Sequence, residues 1–433
     1  MVQQATLTAP ADWEASLPPK GLSSVPEPRI GKNPYIGAFP YIRTVLMPEP
    51  PFIVGRPVTG EYFVDREEEM RRLLALVTGV QKGASSNSAL IGLRRTGKTS
   101  ILENLAIELE PNRAIVPATV NCYGIAARSR FAKLLVERTA EAYAQKTGDR
   151  GYLKRLARAA GQTAKAALEM VSEVKFADFS VKLRDINADE DSLIEGAMQY
   201  VDALAKEKDV FFVVMLDEFQ DAIRWGDNTL KRIRTVVQSQ KRVCYVLAGS
   251  ATTLMRDLVY DRRSPFYRQL VEIPVRKLDK DTVVSFLKRR FSKAQMNCRE
   301  SDIERIANYS DGYPDYVQRI GLELYLSVGQ EGTVTEERVD KAYEDMVLGL
   351  DGEFENYLAA FSPLEREILA ALALGRVQPS EVAREVRRPI FNISKTLATL
   401  VNYGIIERPA KGRYRISDPV FSDWLGRRFK GST

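Results

Sequence analysis

Gly92, Leu93, Arg94, Arg95, Thr96, Gly97, Lys98 and Thr99 fall on the spacing G-x-x-x-x-G-K-[ST]. Two glycines at that interval let the backbone turn so that successive N–H groups converge on phosphate oxygens. A helix starting at the second glycine adds its positive end to the same point. Lys98 is then placed for β- and γ-phosphate oxygens, and Thr99 offers a hydroxyl to Mg2+. Arg94, Arg95 and Thr96 within the loop, and Ser100 just after it, are further candidates for nucleotide contact. The two arginines could instead meet a partner.

The run FFVVMLDEFQ carries Asp217 and Glu218 at the end of an apolar stretch. Asp217 there suits Mg2+ held through water. Glu218 suits orienting a water and accepting its proton. Ser250, in LAGSATT, closes another apolar stretch. It reads either as a group that positions water or γ-phosphate, with Thr252 and Thr253 as weaker alternatives, or as a helix cap. Arg262, Arg263 and Arg268 cluster in YDRRSPFYRQL. One of them is a candidate for γ-phosphate charge, in the same chain or from a neighbouring subunit. The other reading is a solvated basic face or a DNA contact. The expected catalytic set is Lys98, Glu218, Asp217, Ser250 and Arg268.

The 433 residues include no histidine, which removes Ser-His-Asp and Cys-His catalysis and most metal-ligand sets. Cys122, Cys244 and Cys298 form no CxxC and suggest neither disulfides nor zinc. A formal net charge of +6 is spread along the chain and permits nucleic-acid binding without arguing for it. The longest apolar runs are strand-sized, and no signal peptide is visible at the N-terminus, so no membrane partner and a cytoplasmic location are expected.

These residues need elements to hold them. The stretch 63–77 has apolar positions at helical spacing. Residues 88–93 read as a strand, 100–109 as a helix and 114–124 as a second strand, which is a βαβ unit around the glycine loop. Residues 127–208 are helical in pattern and include a basic amphipathic helix at 152–171. The runs at 209–216, 241–254 and 269–278 read as buried strands of a parallel sheet covered on both faces. Residues 279–350 turn to short helices, the first capped by Asp279 or Asp281. Eleven of the 21 prolines fall in residues 1–58, which read as an extended arm.

The segments FVDREEEMRRLL, GLRRTGKTS, LDEFQ, SPFYRQ, DGYPDYVQ and YRISDPVFSDWL occur in this order. The ordered set resembles the archaeal-type ATPases, the MNS group in the STAND branch of AAA+-related P-loop proteins. The resemblance spans roughly residues 60 to 427. It implies an α/β, AAA+-like ASCE core at 59–278, a helical lid at 279–355, and ATP with Mg2+ as ligands. It also implies that Phe63 to Glu67 lie near the adenine, and that Gly312, Tyr313 and Pro314 contact nucleotide from the lid. Two positions depart from the pattern. Asp65 stands where the family often has glycine, and Arg268-Gln269 stand where it has Gly-Arg. The origin-recognition ATPases share the architecture and are the alternative family.

Residues 361–427 read as a separate unit. The helices expected at 362–374, 378–386 (capped by Ser380) and 388–406 are followed by two short strands within 405–417, which is a winged helix-turn-helix. The third helix has Ile390, Ile393, Leu397, Leu400 and Val401 on its apolar face. Its polar candidates for double-stranded DNA are Arg388, Asn392, Lys395, Thr396 and Thr399. Lys411, Arg413 and Arg415 of the wing suit phosphates. The alternative is a module for protein contact or autoinhibition in an ATP-driven, oligomerising signalling switch.

Overall fold

The computed structural model describes residues 50–84, 86–149, 151–152 and 189–430. The basic helix expected at 152–171 and most of the proline-rich arm lie outside the described residues. Five strands form one parallel sheet: β1 (Ser88–Ile91), β2 (Ile115–Asn121), β3 (Phe211–Asp217), β4 (Val243–Gly249) and β5 (Val271–Pro274), in the order β2-β3-β4-β1-β5. Strands β3 and β4 are continuous apolar runs because both faces of a parallel sheet are covered by helices. The expected strand at 241–254 stops at Gly249, and Thr252–Tyr260 is helical.

One face of the sheet packs against α1 (Glu67–Thr78) and α2 (Lys98–Leu109). The other packs against α3 (Arg128–Thr147), α4 (Glu190–Glu207), α6 (Asp227–Ser239) and α7 (Thr252–Tyr260); α5 is the short turn Gln220–Ile223. Three acidic residues in the first turn of α1 favour its start through the helix dipole. The strand order has a functional consequence. It places β4, which is followed directly by Ser250, between the glycine loop after β1 and the acids at the end of β3. All three meet at the carboxyl edge, where open α/β sheets form their crevices.

Beyond the sheet lie α8 (Lys280–Lys293), α9 (Glu300–Ser310), α10 (Pro314–Val328), α11 (Glu336–Gly349) and α12 (Asp351–Ala359). The Asp279 side chain accepts from the Thr282 N–H and caps α8, as expected. Then come α13 (Pro363–Ala373), α14 (Pro379–Val386), α15 (Ile390–Asn402), a hairpin of β6 (Ile406–Ala410) and β7 (Arg413–Ile416), and α16 (Pro419–Lys430). Ser362 and Glu365 form a capping box at α13. Helix α14 starts at Pro379, two residues before a Ser380 cap would begin it: Pro379 occupies its first turn, so Gln378, not Ser380, is the cap.

Residues 361–427 are not packed apart from the preceding helices. A single apolar cluster runs from Phe286 and Ile320 through Phe354 to Phe421 and Leu425. Trp424 Nε1 donates to Asp351 Oδ1 at 2.8 Å, and Tyr313 Oη donates to the Ser417 carbonyl at 2.6 Å. The end of the N-terminal arm is built in as well. Phe52 is buried against Phe286 and Phe291, and Arg290 Nε donates to the Pro51 carbonyl at 2.5 Å.

Candidate active site

Gly92 lies so close to β5 that a Cβ there would meet the Val275 carbonyl at 2.4 Å, so no larger residue fits. Gly97 immediately precedes α2 and points the helix N-terminus into the loop. Thr96 Oγ1 donates to the Leu93 carbonyl at 2.8 Å and tightens the turn. Lys98 is buried, and Nζ donates to the carbonyls of Gly92 (3.0 Å) and Leu93 (2.7 Å). Burial pulls its pKa below the ordinary lysine value, against the pull of Glu218 and Asp217. A buried ammonium held only by carbonyls, at the positive end of a helix, forms a site that favours a polyanion.

Thr99 Oγ1 donates to Asp217 Oδ2 at 2.7 Å, which brings loop and acid together across β4. Burial pushes the Asp217 carboxyl above its usual range, while the Thr99 hydrogen bond opposes this. A hydroxyl and a carboxylate oxygen side by side match the hard oxygen donors that Mg2+ takes. The fit rests on this donor pair and on the anion-favouring loop beside it.

Glu218 adopts φ 52°, the left-handed region that a non-glycine residue enters at a cost. Its carboxylate Oε2 accepts from Ser250 Oγ (2.9 Å) and from Gln220 Nε2 (2.5 Å). The Ser250 N–H donates back to Gln220 Oε1 at 3.0 Å. Ser250 is thus a partner of the candidate base, and the sequence reading missed Gln220. The signal for Gln220 was its place two residues past Glu218 in LDEFQ, at the start of a helical turn.

Arg94 and Arg95 are both engaged by the helices beyond the sheet. Arg95 is ion-paired with Asp315 of α10, with Glu353 of α12 and, at 3.7 Å, with Asp418 ahead of α16, and it lies over the Tyr316 ring. Arg94 lies 4.8 Å over the ring of Tyr357 in α12. Burial raises the Asp418 carboxyl pKa, and Tyr316 Oη donates to Asp418 Oδ2 at 2.5 Å. Arg94, expected as a nucleotide contact, thus lies against an aromatic ring of α12 and is not among the residues that line the cleft. Arg95 borders the nucleotide cleft, but three carboxylates occupy its guanidinium.

The cleft over Lys98 and Thr99 is closed by Pro314, Asp315 and Gln318 of α10 and by residues 53–58. That short stretch links the two sides. The Ile53 N–H donates to Gln318 Oε1 at 3.1 Å, and the Val58 N–H donates to Ser100 Oγ at 3.1 Å. Arg56 is exposed in the same cleft, and sequence reasoning missed it because it lies in the proline-rich arm.

Three expectations differ from the geometry. Phe63 to Glu67 do not line the cleft; Phe63 packs on the α1–α2 core. Arg66 instead supports the loop from behind, donating to the carbonyls of Thr96 (3.1 Å) and Arg276 (2.8 Å). Asp65 reaches the left-handed φ of 55° without being glycine. Gly312 does not line the cleft, unlike Pro314. With φ +74°, a Cβ there would lie 2.2 Å from the Leu278 carbonyl, so this glycine serves the close join between β5 and the lid. Arg268 is exposed and lies over its own neighbour Tyr267, outside the cleft lining.

At the far end of the chain Arg388, Asn392, Lys395, Lys411, Arg413 and Arg415 are exposed, and Thr396 and Thr399 are half-buried. Arg415 pairs with Glu407. Ile390, expected in the core, is 54% exposed because Pro389 starts the helix a turn before its apolar stripe meets α13. Helix α15 also touches the active-site edge: Thr253 Oγ1 donates to the Val401 carbonyl at 3.3 Å.

A family model described as an ATPase domain predominantly from Archaea matches residues 63–320. Among solved structures, the chain is similar to the Walker-type ATPase of Pyrococcus abyssi, with 24% identity and a TM-score of 0.61, over 86% of this chain and 98% of that one. It is also similar to the ORC2 protein of Aeropyrum pernix in its ADPNP–ADP complexes, with 13% identity and a TM-score of 0.54, over 86% of this chain and 96% of that one. No curated protein matches the sequence significantly. Among the described residues, no helix is long and apolar enough to cross a membrane.

Proposed function

The chain belongs to the ATPase-domain family found predominantly in Archaea, and from that premise we propose that it uses Mg-ATP at Gly92–Thr99 to reposition its C-terminal helices. The observation that carries this reading is Arg95. One side chain of the phosphate loop is held by carboxylates of α10, α12 and the segment before α16. A change at the loop on nucleotide binding is therefore felt at all three. The order of motifs from Phe63 to Leu425 supports a place in the MNS group of the STAND branch.

Thr99 and Asp217 would hold Mg2+, which neutralises phosphate charge when bound. Lys98 leaves its loop carbonyls for β- and γ-phosphate oxygens. Glu218 orients a water in line with the γ-phosphate and accepts its proton. Ser250 and Gln220 fix the Glu218 carboxylate for that task. Pro314 borders the nucleotide on the lid side.

Helices α13 to α15 with the β6–β7 hairpin form a winged helix-turn-helix. It is the output module, and double-stranded DNA is its partner. Arg388, Asn392, Lys395, Thr396 and Thr399 would face the major groove, and Lys411, Arg413 and Arg415 the backbone. A second reading is ATP-driven self-assembly. Its supporting observation is that Arg262 and Arg268 are exposed and outside the cleft lining, where a neighbouring copy could receive either one.

ATP turnover of the full chain and of Glu218→Gln, with and without duplex DNA, tests the proposal. DNA-stimulated turnover in the wild type, with a variant that binds ATP without cleaving it, is the expected result. Turnover indifferent to DNA but rising steeply with protein concentration would favour assembly.

A further inference from the structure

The start of α15 presents two large apolar side chains to solvent: Phe391 is 77% exposed and Ile390 54%. Neither joins the cluster that buries Ile393, Leu397 and Leu400 further along the same helix. The segment that carries this tip and the β6–β7 hairpin of the same unit are basic. Arg384, Arg387, Arg388, Lys395, Lys411 and Arg413 are all exposed, and none of them enters an ion pair among the described residues. Elsewhere on the surface, arginines such as Arg305, Arg319 and Arg427 are matched by carboxylates. An apolar tip inside an unmatched basic field complements a polyanion that carries apolar groups on its inner edges.

Duplex DNA has that chemistry. Its phosphates suit the basic rim, and its major groove carries the thymine C5-methyl, an apolar group that phenylalanine contacts. The first turn of the third helix is the part that reaches base edges in helix-turn-helix docking. We propose that Phe391, with Ile390 beside it, packs on thymine methyl groups and makes this chain prefer sites with thymine at the contacted step. The proposal rests on the DNA reading above and adds the identity of a base to it.

The test is equilibrium binding of the full chain, with Mg-ATP and over a series of salt concentrations, to an alternating dA–dT duplex. The comparison is an alternating dA–dU duplex of the same length, which differs only by the missing methyls. The wild type should favour the thymine duplex by about fourfold for each methyl it buries. Phe391→Ala should lose most of this preference, and Phe391→Ala with Ile390→Ala all of it, while both keep a steep salt dependence. The melting midpoint of Phe391→Ala should be unchanged, because the ring is exposed. Lys395→Ala with Arg413→Ala should weaken both duplexes and flatten the salt dependence but keep the preference for thymine. Equal wild-type affinity for the two duplexes would overturn the thymine contact and leave the DNA reading standing. No binding to either duplex at low salt would overturn both and mark the apolar tip as a protein-contact surface.

Discussion

Arg95 of the phosphate loop is ion-paired with Asp315, 220 residues further along the chain, in the first turn of α10. The same guanidinium reaches Glu353 and Asp418, and only 14% of its side chain is exposed. Removing it would leave Asp418, whose carboxyl burial already disfavours, without its cation. Arg95→Ala is therefore expected to cost about 2 kcal/mol in urea unfolding, below the figure for a fully buried pair because its carboxylates are a quarter to half exposed. Arg95→Lys should not restore it, because one ammonium cannot divide its donors among three carboxylates as a planar fork does. In Arg95→Ala, hydrogen exchange in α13 to α16 should no longer respond to ATP. A loss below about 0.5 kcal/mol, typical of ordinary surface changes, would mean that Arg95 does not tie the loop to α10, α12 and the segment before α16.

Glu218 is fixed twice, by Ser250 Oγ and Gln220 Nε2. Glu218→Gln should keep ATP affinity and lose about 10²- to 10⁴-fold in kcat, the usual contribution of a general base. Gln220→Ala and Ser250→Ala remove one support each. Each is expected to lower kcat by about tenfold, near the size of one net hydrogen bond, with KM little changed. Single-turnover kinetics separates the two classes. An undiminished kcat in Gln220→Ala would mean that Ser250 and the backbone at Glu218, with its φ of 52°, position the carboxylate without Gln220.

The phosphate loop, the acids and the parallel sheet were legible because each depends on local pattern. Buried strands are continuous apolar runs, and the loop needs its glycines and lysine at fixed intervals. Ser250 was legible for the same reason, as the polar end of an apolar run. What could not be read is what depends on distant partners. Arg94 and Arg95 sit in a phosphate-binding motif, yet residues more than two hundred positions away claim them. Pro50–Val58 looked like loose arm by composition, but Phe52 fills a gap opposite Gly321 that only the folded lid creates. Ile390 matched a helical stripe whose partner helix does not extend that far.

Arg56 follows from the structure alone. It lines the cleft with Lys98, Thr99 and Glu218, is exposed, and lies on the stretch that Ile53 and Val58 fasten at both ends. Fixed ends place its charge beside the polyphosphate at little entropic cost. Arg56→Ala should raise KM for ATP by about tenfold, consistent with one charge-assisted hydrogen bond. Its unfolding midpoint should match the wild type, since nothing buried is lost. Equal KM values would exclude Arg56 from nucleotide binding.

Asp217 is tuned for a ligand at the expense of the unliganded fold. Burial raises its folded-state pKa above the unfolded value of about 3.9. A raised carboxyl pKa contributes stability that is present below the unfolded value and lost as pH rises through the folded one. At neutral pH the ionised, buried Asp217 is therefore a net cost to the nucleotide-free protein. Asp217→Asn removes the charge while its amide oxygen can still accept from Thr99 Oγ1. Its melting midpoint without nucleotide should exceed the wild type at pH 7, and the gap should narrow as the pH is lowered through the raised carboxyl value toward the unfolded one. With Mg-ATP the order should reverse: the wild type gains stability by binding, and the variant, lacking the carboxylate, gains less. Differential scanning calorimetry across pH, with and without Mg-ATP, measures both. A variant no more stable than the wild type at pH 7 would show that the Thr99 hydrogen bond fully offsets burial of the charge.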